Sequence, residues 1–233
     1  MSSLALSCAL SFLLGARHAS EPDHLAAVTT LLADAPNARR AAWLGAFWGV
    51  GHAASLFILG GVLVLLRQQL PAAAGDALEL CVAVMLLGLG IHSLARAIAL
   101  GQSGRPTHHT HGELTHAHPM HEPHLHLTSL TLARRPLLIG LMHGLAGSGA
   151  LAALTMASMP TLGAALGSMA LFGAGSVFGM SALSGLIGVP LGRLAGARYR
   201  YVRVGLIAVA GLTSTCVGVL WGWPLLLRFT GMH

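Results

Sequence analysis

Apolar residues come in long runs along this chain, and most polar residues collect between the runs. The runs cover about residues 3–32, 41–66, 77–100, 136–158, 161–189 and 201–227. Each is long enough for a helix through a hydrocarbon core of roughly 30 Å. Strands crossing a bilayer would need strict polar/apolar alternation, which is absent, whereas helices satisfy their own backbone in lipid. The pattern therefore predicts an all-α polytopic membrane protein with about six transmembrane helices. The first run is interrupted by Arg17-His-Ala-Ser-Glu-Pro-Asp-His24, which predicts a broken first helix. No positive charge precedes Arg17, so the opening apolar stretch is expected to be a membrane helix of the mature protein rather than an ordinary signal peptide.

Composition sharpens this picture. Only 9% of the 233 residues are charged, against about 25% in a soluble domain. All 13 basic residues are Arg. The absence of Lys excludes a Walker A loop and Schiff-base chemistry, so a transporter of this sequence would not hydrolyse a nucleotide itself. Arg39, Arg40, Arg96, Arg105, Arg134, Arg135, Arg193, Arg198, Arg200 and Arg203 fall on one side of a six-span topology; Arg67 and Arg228 fall on the other. The positive-inside rule then places both termini outside and the loop 101–135 in the cytoplasm. The pI near 10.6 is thereby explained by topology, and no nucleic-acid partner is expected. Cys8, Cys81 and Cys216 lie singly in apolar runs and read as small buried hydrophobes.

The two ends of the chain echo one another. Gly15-Ala-Arg-His18 matches Gly140-Leu-Met-His143, and Leu25-Ala-Ala-Val-Thr29 matches Leu151-Ala-Ala-Leu-Thr155. Leu44-Gly45 recurs as Leu166-Gly167, and Trp48-Gly-Val-Gly-His52 as Phe172-Gly-Ala-Gly-Ser176. Three-span halves at 1–100 and 136–233, joined by the loop 101–135, would enter the membrane in opposite directions. This predicts a 3+3 inverted repeat, the architecture of secondary transporters with midplane sites on broken helices. The pairs Gly163/Gly167, Gly175/Gly179 and Gly188/Gly192 have small-residue packing spacing.

Candidate chemistry concentrates at the interruption of the first run. A carboxylate inside a membrane span is costly and marks function, and here Glu21 and Asp23 stand between His18 and His24. On a straight helix His18 and Asp23 would lie about 140° apart. Pro22 cannot donate to the carbonyl of His18, so the helix is expected to break there and to free that carbonyl. Arg17 is expected to pair with Glu21, leaving Asp23 to meet a cation. His52 in the second run and His143 in the fourth, each amid glycines, add imidazoles suited to Ni, Cu, Fe or Zn. Ser176 stands at the repeat position of His52. The loop carries His108, His109, His111, His116, His118, His121, His124 and His126, an accessory metal-binding tract expected to lack structure without metal.

The context Gly-Ala-Arg-His18-Ala-Ser-Glu-Pro-Asp23-His24-Leu-Ala-Ala-Val resembles the signature of the nickel–cobalt transporter family of the NicO superfamily. Gly51-His52 and His143-Gly-Leu-Ala-Gly-Ser resemble further motifs of its urease-associated nickel permease branch. The resemblance implies a multi-pass carrier of the bacterial inner membrane for Ni²⁺ or Co²⁺, with His18, Asp23 and His24 handling the metal. It implies no enzyme activity and no permanently bound cofactor, with the lipid bilayer, transition-metal ions and cytoplasmic nickel-acceptor proteins as partners; oligomeric state is left open. Uptake members are usually longer, with an acidic stretch where this chain reads Ala146-Gly147-Ser148. In the exporter branch the first motif usually reads Pro-Gly-His where this chain has Pro22-Asp23-His24. The motif thus favours uptake, while the His-rich loop and short length leave efflux open. From another class stands a membrane haem protein for electron transfer, with His52 and His92 or His143 as axial ligands. From a further class stands an intramembrane metalloenzyme, for which no H-E-x-x-H motif is present.

Overall fold

The computed structural model describes residues 2–32, 35, 37–66, 70–102, 108–111, 114–117, 129–146, 159, 161–193 and 199–230. Among the described residues seven helices carry the fold: α1 (Ser2–His18), α2 (Pro22–Leu32), α3 (Ala38–Leu66), α4 (Ala72–Gln102), α5 (Ser129–Leu145), α6 (Leu162–Arg193) and α7 (Arg200–Thr230). Sequence-local caps start two of the long ones. The Asn37 side chain accepts from Arg40 N at 2.8 Å, and Thr161 Oγ1 accepts from Ala164 N at 3.2 Å, each filling a backbone donor left open at a helix start. The helices α3, α4, α6 and α7 are long and apolar enough to cross a membrane. At 17 residues each, α1 and α5 span only about 25 Å. The first run is therefore two helices, as its interruption predicts. Of the fourth run, 136–145 lies in α5, Ala146 follows the helix end, and 147–158 falls outside the described residues.

Packing brings distant parts of the chain together. The helices α3 and α6 pack along each other, α1 lies on α6, α5 lies on α3, and α4 pairs with α7. Between them α2 contacts α7, α4, α6 and α3. Its Ala26, Ala27, Val28 and Leu32 join Trp48, Leu86 and Met180 in the largest buried apolar cluster. Large apolar side chains such as Leu186 and Leu220 point outward, the arrangement suited to lipid as solvent.

Several close contacts occur in matched pairs. A Cβ at Gly15 would overlap the carbonyl of Phe172, and one at Gly140 would overlap the carbonyl of Trp48. Gly51 faces Leu137 and Leu141, and Gly175 faces Phe12 and Ala16. In the third pairing, Ser93 Oγ donates to Ile207 O at 3.2 Å, and Ser214 Oγ donates to Leu86 O at 2.9 Å. The match of Leu44-Gly45 to Leu166-Gly167 does not carry over. Gly45 is pressed against Met180 and Ser184, while Gly163 and Gly167 face open space; of the small-residue pairs, Gly175, Gly179 and Gly188 meet a neighbouring helix.

Two further expectations change. Cys81 and Cys216 are exposed and Cys8 is half-buried, because they sit on outward, lipid-compatible faces of their helices rather than in the core. In the His-rich loop, His108–His111 pairs antiparallel with Leu114–Ala117, setting His109 opposite His116. A backbone ladder needs no apolar core of its own, which is why regular structure can form in so polar a tract. His118, His121, His124 and His126 lie outside the described residues.

Candidate metal centre

The break between α1 and α2 sets the site. After His18 the chain turns: Ser20 N and Oγ both donate to Arg17 O, at 2.9 and 2.6 Å. Glu21 N then donates to His18 O at 3.1 Å. The carbonyl that Pro22 cannot serve is thus capped by Glu21 rather than freed for a ligand. Pro22 opens α2, where its missing N–H costs nothing and its fixed φ suits a first helical residue. The re-start turns Asp23 and His24, in the first turn of α2, toward His18 at the last turn of α1. A carboxylate in the first turn also meets the positive end of the helix dipole.

Four imidazoles from four helices meet there. Ring centroids lie 4.4 Å apart for His18 and His24, 5.1 Å for His18 and His52, and 5.1 Å for His24 and His52. His143, near the end of α5, stands 4.3 Å from His24. His24 and His52 are each only 1% exposed. Two carboxylates orient the rings. Asp23 Oδ1 lies 3.1 Å from His24 Nδ1, Asp23 Oδ2 lies 2.7 Å from His143 Nε2, and Glu21 Oε1 lies 2.9 Å from His18 Nδ1. A carboxylate only accepts, so each of these ring nitrogens donates, and in a neutral ring the other nitrogen carries a lone pair. Those other nitrogens, His18 Nε2, His24 Nε2 and His143 Nδ1, are buried without a hydrogen-bond partner among the described residues, as are both nitrogens of His52.

Buried polar atoms are normally satisfied, so this concentration of orphans is the chemical signature of the site. Ligand atoms of His18, His24 and His52 lie within 4.8 Å of one another, and so do those of Asp23, His24 and His143. Imidazoles braced by carboxylates are the arrangement in which a metal-ligating His is held in one tautomer and made more basic. The rings and Asp23 line a cavity of about 270 Å³, closed on other sides by Val82, Leu86 and Phe172.

Several sequence expectations are corrected here. Arg17 is exposed and does not pair with Glu21; α1 ends at His18, so the i, i+4 geometry that would join them is never formed. Asp23 is not an uncompensated carboxylate, since His24 and His143 both donate to it. Ser176 is fully buried, yet its hydroxyl donates to Phe172 O at 3.0 Å and it does not line the cavity. His92 is exposed on α4, outside the cluster. Glu79 and Trp221, which the sequence reading passed over, line the cavity with the histidines. A carboxylate within an apolar run was the signal that could have found Glu79.

Long apolar helices packed around a buried set of braced imidazoles define a class, the polytopic membrane transporters of transition-metal ions. The particular family follows from comparison. The chain belongs to the NicO family, described as high-affinity nickel-transport protein, whose profile matches residues 4–232. It is 34% identical over 217 residues to the urease accessory protein UreH of Bacillus sp. (strain TB-90), covering 93% of this chain and 90% of that one. No solved structure matches the chain. The family is one of transporters, not enzymes, with nickel as cargo rather than a resident cofactor, and it leaves the haem reading without support.

Proposed function

We propose that this chain is a secondary carrier that takes up Ni²⁺, and Co²⁺ with it, across the bacterial inner membrane. The observation that carries the reading is the set of buried, unpartnered nitrogens on His18, His24 and His52, with His143 one ring away. Borderline imidazole nitrogen suits Ni²⁺ and Co²⁺ and excludes Mg²⁺ and Ca²⁺, which want oxygen. His18, His24 and His52 supply the first donors. Asp23 holds His24 and His143, and its negative charge offsets part of the cargo's charge.

The carrier has six crossings in two inverted halves. The matched contacts support this: exchanging the halves maps Gly15 on Phe172 to Gly140 on Trp48, and Ser93 on Ile207 to Ser214 on Leu86. With the Arg bias, both termini face outward and the His-rich loop faces the cytoplasm, where it collects metal and passes it to acceptor proteins. The test is flux of radiolabelled Ni²⁺ into proteoliposomes of known orientation. Uptake at low micromolar Ni²⁺ that His52→Ala abolishes supports the reading; wild-type protein that moves neither Ni²⁺ nor Co²⁺ in either direction sinks it.

A further inference from the structure

Glu79 lies two turns into α4, in a helix whose other early carboxylate, Asp76, is taken: Arg228 Nη1 donates to Asp76 Oδ1 at 3.2 Å. Glu79 has no hydrogen-bond or ion-pair partner among the described residues. Its neighbours explain why that matters. The histidine-lined cavity of about 270 Å³ adjoins a more open cavity of about 390 Å³, lined by Pro22, Leu220, Pro224 and Arg228. Glu79 and Trp221 are the two residues common to both. Glu21, another carboxylate lining the histidine-lined cavity, is 51% exposed and bonded to His18. His18, His24 and His52, with their orphaned nitrogens, line that same cavity.

We propose that Glu79 is a cation-binding residue of the approach path, a station between the outer cavity and the imidazole cluster. The inference rests on the reading of the cluster as a metal centre. A hydrated divalent cation leaving water loses solvation before the imidazoles can replace it, and an unpaired carboxylate at the junction offsets part of that loss. Its charge also concentrates cations at the mouth and speeds their arrival, an effect that low-dielectric walls focus and that salt weakens. Arg228 does not cancel it, being paired with Asp76. The station stands at the end of the bundle that carries Asp76 and Arg228, opposite the Arg-rich ends of α4 and α7.

The test is the rate of Ni²⁺ association with purified full-length protein, followed by quenching of tryptophan fluorescence in a stopped-flow instrument. Glu79→Gln is expected to slow association about tenfold at low ionic strength, with the difference shrinking in high salt. Glu79→Asp, which keeps the charge, restores the rate to within about threefold. In proteoliposomes the half-saturating Ni²⁺ rises in Glu79→Gln while maximal flux stays within about twofold. An association rate unchanged in Glu79→Gln, or a loss that Glu79→Asp does not restore, overturns the proposal. A wild type that binds Ni²⁺ without moving it would sink the transport reading alone, and the association rates would still decide the role of Glu79.

Discussion

Asp23 and His143 are 120 positions apart, yet Asp23 Oδ2 accepts from His143 Nε2 at 2.7 Å in the interior of the bundle. The bond ties the first turn of α2 to the last turn of α5, so one carboxylate orients rings from both halves of the chain. Asp23→Asn keeps the shape and removes the charge. Loss of such a bracing carboxylate typically costs about 10–100-fold in metal affinity. Ni²⁺ affinity by calorimetry and Ni²⁺ flux should both fall by that range while the protein still reaches the membrane; near-normal values would remove Asp23 from the site.

His52 and Ser176 make a matched comparison, since they occupy equivalent places in the repeated motif. His52 faces the cavity with both ring nitrogens unpartnered, whereas Ser176 spends its hydroxyl on Phe172 O. His52→Ala is expected to abolish Ni²⁺ binding, and Ser176→Ala to change it less than about twofold. Equal effects in equilibrium dialysis would mean that His52 is a packing residue.

The helix contacts predict which glycines matter. Gly140→Ala drives a methyl group into the Trp48 carbonyl, and such overpacking costs about 1–3 kcal/mol. Gly163→Ala meets nothing within 4 Å and should gain up to about 1 kcal/mol from the lower backbone entropy of Ala in a helix. Thermal unfolding in detergent should therefore shift down for Gly140→Ala and up or not at all for Gly163→Ala.

The loop is expected to act by concentration, not by selection. Deleting 107–126 removes eight histidines, whose expected role is to raise the local metal level near the transport path. Half-saturating Ni²⁺ should change, while the order of preference among Ni²⁺, Co²⁺ and Zn²⁺ holds. Imidazole binds metal only when neutral, so the difference between the two proteins should fade below about pH 6.5. A reversed metal preference in the deletion would place the loop within the selective site.

Topology can be read directly. A single cysteine at Gly112, with Cys8, Cys81 and Cys216 replaced, should resist a membrane-impermeant thiol reagent in intact cells and react after permeabilisation. Labelling in intact cells would invert the orientation.

Hydropathy was enough to find the four long apolar helices α3, α4, α6 and α7, because a backbone in lipid must satisfy itself and a helix is the local way to do so. Pro22 was enough to find the break, since a residue without an N–H disrupts a helix wherever it falls in the interior. The residue types of the site were legible too, as ionisable groups stand out in apolar runs. What the local pattern could not decide was which nitrogen or oxygen each group has left to offer. Glu21 turned to His18 instead of Arg17, Asp23 was taken by two imidazoles, and Ser176 was spent on its own helix. Glu79, 55 positions beyond His24, joined the same cavity. These outcomes depend on which side chains the packing of α2 against α4, α6 and α7 brings within hydrogen-bond reach. A hydrogen bond acts over about 3 Å, and no rule of spacing along the chain specifies that distance between helices.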